Sequence, residues 1–254
     1  MKYIKDFKIL KNITISDDTF VLELQLRQKL PIIFPGQFVE VLINKSKNTF
    51  LRRPFSIHDV NTSKNTISLF IKKVGEGTEA LSKYKVGDIV NIIFPLGKGF
   101  NLVKNKKVLL IGGGCGIAPL LYLSKRLNEN NNEIHVLLGG RSKEDIIKIK
   151  EFKKYGKVYI STENGSLCER GLLTQNSVLK NNFDKIYACG PAPMLKAVAK
   201  IAKEKNTECE VSLENIMACG IGACLCCVVE TKKGNQCVCT EGPVFNINDL
   251  TWQI

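Results

Sequence analysis

Short runs in which apolar and polar residues alternate fill the first hundred residues of the chain. They read TFVLELQL, QFVEVLI, TISLFIKKV and IVNIIF, and turns rich in Pro, Gly, Asn and Asp separate them. Alternation with a period of two predicts strands with one buried face, and many such strands in series are typical of a β-barrel or β-sandwich. We therefore predict an antiparallel β domain over residues 1–102.

The pattern changes near Lys107, where short, fully apolar runs replace the alternating ones. VLLIG, IHVLLGG, KVYISTEN and KIYACG read as buried strands, and the segments APLLYLSKRLNEN and APMLKAVAKIAKEK have the length of helices. Strands that alternate with helices indicate a parallel α/β sheet. This second domain is predicted to span residues 103–205.

The last part of the chain, residues 206–254, is rich in Cys and Gly. It is too small to build a hydrophobic core of its own, so we expect something other than burial to hold it together. Six of the ten cysteines of the chain lie within its residues 219–239. Because the start MKYIKDFKIL has no apolar signal segment, we expect a cytoplasmic protein with reduced thiols, in which cysteines serve metal or redox chemistry.

The charge and hydropathy of the chain exclude two classes of partner. The formal net charge is +13, but the lysines are scattered singly and in pairs, with no basic run and no interleaved aromatic residues. That is not the footprint of a nucleic-acid-binding protein. No stretch is apolar over the length that a membrane helix requires, so we expect no membrane partner.

A glycine-rich turn marks the start of the second domain. The strand is expected to end at Ile111, and Pro119 suits the first turn of the helix that follows. Backbone N–H groups at such a turn bind phosphate. The strict G-x-G-x-x-G fingerprint of dinucleotide-binding turns is not met, however, and tight packing alone would also explain the glycines. A second small-residue turn at a later strand end favours a nucleotide crevice. The candidate residues are Gly112, Gly113, Gly114, Gly116, Cys189, Gly190 and Pro191.

In the first domain, the segment LRRPFSI surrounds a proline with groups that suit a cofactor. Arg53 is a candidate for binding a phosphate, Phe55 for contacting the edge of a ring and Ser56 for a hydrogen bond. The alternative is an edge strand with an exposed arginine.

The cysteines of the tail have a specific spacing. Cys219, Cys224 and Cys227 match the C-x4-C-x2-C pattern of plant-type 2Fe–2S proteins, which take a fourth cysteine further along the chain. Zinc is the main alternative, but it more often uses paired C-x2-C motifs. The residues alone leave Cys226 and Cys237 open as substitutes.

Four motifs in order resemble those of the ferredoxin-NADP reductase superfamily. They are R-P-F-S, G-E-G-T at residues 75–78, the glycine turn and C-G-P-x-x-M. The resemblance implies a β-barrel that holds FAD and an α/β domain that holds the nicotinamide nucleotide. The flavin residues that it implies are Arg53, Pro54, Phe55, Ser56, Phe70, Ile71, Lys72, Gly77 and Thr78, of which Gly77 and Thr78 would meet the pyrophosphate.

The tail, with SLENIMACGIGACLCC followed by CTEGPVF, resembles the electron transfer subunits of class B dihydroorotate dehydrogenases. This resemblance selects Cys239 as the fourth 2Fe–2S ligand and leaves Cys226 and Cys237 as non-ligands. It implies transfer of electrons to NAD+ in pyrimidine biosynthesis. It also implies an FMN-containing catalytic partner that oxidises dihydroorotate. This partner would face the glycine-rich loop that carries Cys219, Cys224 and Cys227, and would form a heterotetramer with two subunits of each kind.

Two other functions remain open at this point. A subunit of an NADPH-ferredoxin oxidoreductase, sulfide dehydrogenase or hydrogenase complex would share the barrel and the nucleotide domain, and Arg141 could read the 2′-phosphate of NADP. The alternative from another class is a non-enzymatic redox sensor or docking module, against which the nicotinamide crevice argues. Neither His58 nor His135 lies in an acid–base motif, so we expect the electrons to come from a partner protein.

Overall fold

The computed structural model describes residues 1–253, and its first part is a closed antiparallel barrel of six strands. The order around the barrel is β1-β2-β5-β4-β3-β6, and a short helix α1 (Glu76–Ser82) follows β5. The strands are β1 (Tyr3–Ser16), β2 (Thr19–Gln25), β3 (Phe38–Val41), β4 (Arg53–Asn61), β5 (Thr66–Lys72) and β6 (Ile89–Leu96). The predicted N-terminal β-barrel is confirmed.

Side chains of β3 alternate between the two faces of the barrel, as its sequence predicts. Val39 and Val41 pack in the barrel core, whereas Phe38 packs in the core that belongs to the α/β part of the chain. Since successive side chains of a strand point to opposite faces, Glu40 lies on the same outward face as Phe38. The outer face of this strand is thus covered by protein and not by solvent.

The second part is a seven-stranded sheet with the order β10-β9-β8-β7-β11-β12-β15. Its strands are β7 (Lys107–Gly113), β8 (Glu133–Gly140), β9 (Lys157–Thr162), β10 (Glu169–Arg170), β11 (Lys185–Cys189), β12 (Glu208–Ser212) and β15 (Val244–Asn246). The helices are α2 (Leu120–Asn128), α3 (Ile149–Phe152) and α4 (Ala192–Glu204). All pairs are parallel, as predicted, except that β15 joins the edge antiparallel to β12.

Two strands of the cysteine-rich tail belong to this sheet. Both β12 and β15 lie beyond residue 205, and Val211, Cys239 and Phe245 are buried in the same core as β11 and α4. The expectation that something other than burial holds the tail together is therefore wrong, because residues of the tail are buried in the core of the α/β sheet. A hairpin of β13 (Val228–Thr231) and β14 (Gly234–Cys237) completes the tail.

The domain boundaries at 102/103 and 205/206 stay predictions, and the last residue of the predicted third domain, Ile254, lies outside the described residues.

A buried ion pair links strand β12 of the tail to its neighbour β11. Lys185 Nζ on β11 lies 2.7 Å from Glu208 Oε1 and 3.2 Å from Glu210 Oε1 on β12, and Lys185 and Glu210 are almost inaccessible to solvent.

Helix α2 joins the barrel to the α/β sheet. Tyr122 Oη donates to the carbonyl of Ile33 at 3.1 Å, and Lys125 Nζ donates to the carbonyl of Val60 at 2.9 Å. His58 Nδ1, on β4, lies 2.8 Å from the carbonyl oxygen of Ala118. These contacts fix the turn that precedes α2 next to the end of β4.

Among residues 1–253, no helix is both long enough and apolar enough to cross a membrane.

Candidate functional site

A crevice of about 620 Å³ lies at the carboxyl ends of the parallel strands, where open α/β sheets bind ligands. This volume is within the range of small-molecule and cofactor sites. Of the residues predicted to bind the nucleotide, Gly113, Gly114, Gly116, Gly190 and Pro191 line it. The two others, Gly112 and Cys189, are buried in the strands behind it.

Strand β7 runs to Gly113, two residues beyond the predicted end at Ile111, and a 3-10 turn over 114–117 follows it. The two predicted turns touch each other. A Cβ atom added to Gly116 would overlap the backbone carbonyl of Cys189, and one added to Gly113 would lie 2.6 Å from Met194 Sδ. Glycine is required at position 116, because the backbones of the two turns approach each other there more closely than a side chain permits, whereas the flexible Met194 side chain near Gly113 is able to move.

Replacing Gly116 by alanine should therefore slow the reduction of the bound flavin by NADH about a hundredfold, because the turn must shift by roughly 1 Å. Stopped-flow absorbance of the flavin measures the rate, and circular dichroism shows that the variant is folded. Gly114→Ala is the matched control in the same turn. A Cβ atom there meets nothing within 4 Å, so only the cost of its positive φ of 55° remains. Equal losses in the two variants would show that close approach is not what the turn requires.

Four charged residues that the sequence reasoning did not assign to the crevice also line it: Arg141, Asp145, Glu163 and Glu214. For Arg141, the sequence suggests only a contact with the 2′-phosphate of NADP. Asp145 Oδ2 accepts hydrogen bonds from the backbone N–H groups of Arg141 at 2.9 Å and Ser142 at 3.0 Å, which holds the loop after β8. The signal that was available for Glu214 is its place just after the end of a parallel strand.

The flavin segment, defined as residues Arg53–Ser56, forms the start of β4. All four of its residues are partly exposed, whereas Ile57 and His58 after them are buried. This run of partly exposed residues shows that the start of β4 is not fully covered by protein, which leaves room for a ligand. Arg53 Nη1 donates to the carbonyl of Leu51 at 2.8 Å, and Phe55 packs partly against the barrel core.

The neighbouring strand β5 presents the other predicted flavin residues in alternation. Phe70 packs towards the α/β domain, Ile71 lies inside the barrel core, and Lys72 lines the nucleotide crevice. Only the backbone of Ile71 is therefore free to contact a cofactor. Lys72 Nζ lies 3.0 Å from Asp18 Oδ2, and a hydrogen bond from this ammonium is the main reason that the pKa of Asp18 falls to about 2.

At α1, Gly77 and Thr78 are buried. The Thr78 hydroxyl accepts hydrogen bonds from the N–H groups of Val74 at 2.8 Å and Gly75 at 3.2 Å, and it donates to the carbonyl of Gly75 at 2.9 Å. This hydroxyl is used to shape the turn. A contact of this segment with a pyrophosphate would use backbone groups and not the Thr78 side chain.

The cluster loop, residues 214–227, carries three of the four predicted iron ligands, and the fourth, Cys239, lies beside it. The thiol of Cys219 contacts that of Cys224, and the thiol of Cys227 contacts those of both Cys239 and Cys237. Within the described part of the chain, no three His, Cys, Asp or Glu side chains surround a single ion position. Two cysteine pairs match the chemistry of a 2Fe–2S cluster, in which each iron takes two thiolates.

Backbone N–H groups point at these sulfurs. Ile221 N lies 3.4 Å from Cys219 Sγ, and Cys239 N lies 3.4 Å from Cys227 Sγ. Burial raises the pKa of the Cys219 thiol, but hydrogen bonds from the loop N–H groups and from the Cys224 thiol bring it down to about 6. Burial and the contact with Cys227 raise the pKa of Cys239 to about 12. The loop N–H groups thus favour the thiolate form of Cys219, which is the form that binds iron.

The two cysteines predicted not to bind iron have different surroundings. Cys226 is exposed, and its Sγ donates to the carbonyl of Ile216 at 3.6 Å, away from the cysteine pairs. Cys237 is buried and its thiol contacts that of Cys227, as Cys239 does. The N–H group of Gly222 in the cluster loop points at Cys239. This last contact favours Cys239 as the ligand, and the choice between Cys237 and Cys239 stays a prediction.

The cluster loop packs on the outer face of the barrel. A Cβ atom added to Gly220, whose φ is 67°, would lie 2.6 Å from Glu40 Cγ and 3.2 Å from Leu96 Cδ1. Glu40 on β3 pairs with Pro54 of the flavin segment on β4. The flavin segment is therefore next to the strand that carries the cluster loop, and the nucleotide crevice begins at Lys72 on the neighbouring strand β5.

Relatives of known name match the chain over almost its whole length. A protein of Fusobacterium nucleatum is 37% identical over 257 residues, which cover 97% of this chain and 98% of the relative. One of Caldanaerobacter subterraneus is 39% identical over 96% of this chain and 97% of its own length. Both are called dihydroorotate dehydrogenase B (NAD(+)), electron transfer subunit. The chain belongs to this family.

Three models of known protein domains match successive parts of the chain. An oxidoreductase FAD-binding domain matches residues 6–100, an oxidoreductase NAD-binding domain matches residues 110–200, and the iron–sulfur cluster binding domain of dihydroorotate dehydrogenase B matches residues 214–251. The predicted FAD, NAD and iron–sulfur domains are thereby confirmed. The chain is a flavin-dependent oxidoreductase subunit, and the family name implies a catalytic partner subunit.

Solved structures show the same fold. A chain from the work on an NADH-dependent reduced ferredoxin-NADP oxidoreductase, described for flavin-based electron bifurcation, superposes with a TM-score of 0.86 at 29% identity. The match covers 97% of this family member and 90% of that chain. The ferredoxin reductase of a carbazole 1,9a-dioxygenase reaches a TM-score of 0.69 at 18% identity over 81% of this chain and 67% of its own, and shows the fold alone.

Proposed function

We propose that the chain carries electrons from an FMN-containing catalytic subunit, which oxidises dihydroorotate, through a 2Fe–2S cluster and FAD to NAD+. It would act in the cytoplasm, in pyrimidine biosynthesis, as part of a heterotetramer with two subunits of each kind. The observation that carries this proposal is the order of the three sites. The flavin segment lies on β4. On one side it neighbours β3, where Glu40 contacts the cluster loop, and on the other side β5, where Lys72 lines the nucleotide crevice.

When bound, FAD exchanges two electrons with a nicotinamide and single electrons with an iron–sulfur cluster, which is why it belongs between them. The chain's own residues then have separate tasks. Arg53–Ser56 would hold the flavin ring and its phosphates, the glycines of the two touching turns would bind the nicotinamide nucleotide, and Cys219, Cys224, Cys227 and Cys239 would bind the cluster.

The partner subunit is proposed to dock on the apolar rim of the cluster loop. Ile216, Ile221 and Leu225 are 84%, 48% and 64% exposed. Leu225 also has a positive φ of 57°, which is unfavourable for leucine and is more often found where function requires it. Exposed apolar residues around a redox site indicate a surface for a protein that exchanges electrons with it.

Reduction of the flavin by NADH tests the proposal on the purified full chain loaded with FAD and cluster. We expect NADH to reduce the flavin rapidly in stopped-flow experiments, and NADPH to do so more slowly, because the related proteins are named for NAD(+). If NADH left the flavin oxidised, the chain would be better described as a redox sensor or docking module.

A subunit of an NADPH-ferredoxin oxidoreductase complex is the second candidate, because a chain from such work superposes over 97% of this one. Faster reduction by NADPH than by NADH would favour that assignment. The relatives at 37% and 39% identity, together with the match to the dihydroorotate dehydrogenase iron–sulfur domain, favour the first candidate.

A further inference from the structure

Glu40 is a buried acidic residue without a partner. It has no exposed surface, and neither of its carboxyl oxygens has a hydrogen-bond partner within residues 1–253. Burial of an acidic group without a partner is unfavourable, so proteins retain such groups mainly where they have a role. The sequence gives no hint of this, because QFVEVLI reads as a strand whose glutamate faces solvent.

The position of Glu40 relates it to both electron-carrying sites. Its side chain points outward from the barrel, and its Oε1 would lie 3.1 Å from a Cβ atom added to Gly220 in the cluster loop. Its backbone pairs with that of Pro54 in the flavin segment. A single buried carboxyl group thus lies directly under the cluster loop, on a strand that pairs with the flavin segment.

The nearest cation does not neutralise this carboxyl group through an ion pair. Arg52 donates instead to the carbonyl of Asn91 at 3.0 Å and to Asn91 Oδ1 at 2.6 Å, and it reaches only the backbone carbonyl of Glu40, at 3.4 Å. Burial is the main reason that the pKa of Glu40 rises to about 7. The charges of Arg52 and, to a smaller extent, Arg53 oppose this rise, and that of Cys219 adds to it.

We propose that Glu40 sets the reduction potential of the bound cluster, its buried carboxylate under Gly220 making the addition of an electron less favourable. The potential of an iron–sulfur site depends on the charge, hydrogen bonds and solvent exposure around it. A negative charge in a buried, poorly screened position acts strongly on a cluster that becomes more negative on reduction. A lower potential favours the onward transfer of electrons towards NAD+. This inference rests on the proposed cluster site.

The test is a redox titration of the full chain, loaded with FAD and cluster, followed by the 2Fe–2S EPR signal at about pH 9, far above the ordinary pKa of a carboxyl group. Glu40→Gln removes the charge and keeps the shape. We expect it to raise the equilibrium constant for reduction of the cluster about tenfold, a rise in midpoint potential of about 59 mV.

Two further variants separate charge from packing. Glu40→Asp keeps the charge and should stay close to the wild-type potential. Glu210→Gln changes an equally buried glutamate, which is held by Lys185 and Asn101 on the α/β sheet, and should leave the potential unchanged. If Glu40→Gln does not retain the cluster, Glu40→Ala takes its place and must raise the potential as well.

An unchanged potential in the neutral Glu40 variant would overturn the inference, and so would an equal rise in Glu40→Asp or in Glu210→Gln. Failure of the proposed function looks different. In that case the wild-type chain itself would show no 2Fe–2S EPR signal, whereas failure of this inference leaves that signal intact and the potential unmoved.

Discussion

Replacing Cys239 by serine should abolish or shift the 2Fe–2S EPR signal of the chain, whereas replacing Cys237 by serine should leave the signal close to wild type. Both thiols contact Cys227, so proximity to that ligand does not separate them. The N–H group of Gly222 points at Cys239, which places Cys239 inside the hydrogen bonds of the cluster loop. Because a 2Fe–2S cluster requires four cysteines, loss of the true fourth ligand should reduce the bound iron as well.

The two serine variants are matched, because Cys237 and Cys239 lie two residues apart and both are buried. Iron content and EPR are measured on anaerobically purified full chain, and thermal unfolding shows that each variant is folded. The opposite outcome, in which Cys237→Ser loses the signal and Cys239→Ser keeps it, would replace Cys239 by Cys237 in the ligand set.

Replacing Leu225 by aspartate should break the complex with the catalytic subunit. An exposed leucine at the centre of a docking surface is expected to contribute about 2 kcal/mol or more, so binding should weaken about 30-fold or more. An aspartate tolerates the positive φ at this position better than leucine does, so the fold should not suffer. Isothermal titration calorimetry with the purified catalytic subunit measures the change.

Val86→Asp is the control for this experiment. Val86 is 67% exposed, similar to Leu225, but it lies in the barrel between α1 and β6 and not in the cluster loop. It should bind the partner as the wild type does. Equal weakening by both substitutions would point to a general effect of added charge, and no weakening by Leu225→Asp would remove the cluster loop from the interface.

Local patterns in the sequence predict most of the fold. The alternation in TFVLELQL and IVNIIF corresponds to β2 and β6, and the apolar runs of the second domain correspond to β7, β8, β9 and β11. The sequence also predicts that the two small-residue turns lie at the same edge of the sheet, because both follow parallel strands, whereas the adjacency of β7 and β11 is seen only in the structure. These features depend on the period and on strand ends, which are local properties.

The features that the sequence did not predict depend on contacts between distant residues. Glu40 is buried only because the cluster loop, some 180 positions further along the chain, covers the outer face of β3. The tail is held by burial because β12 and β15 join a sheet formed by earlier residues. The ambiguity between Cys237 and Cys239 has the same origin, since spacing does not say which thiol faces the cluster loop.

Reconstitution with the catalytic subunit tests the central claim most directly. The full chain, loaded with FAD and cluster, is mixed with that subunit, and the formation of NADH from NAD+ is followed after dihydroorotate is added. The account predicts that NADH forms rapidly only when both proteins are present. It would be contradicted if the catalytic subunit alone reduced NAD+ equally fast, or if the mixture oxidised dihydroorotate without forming NADH.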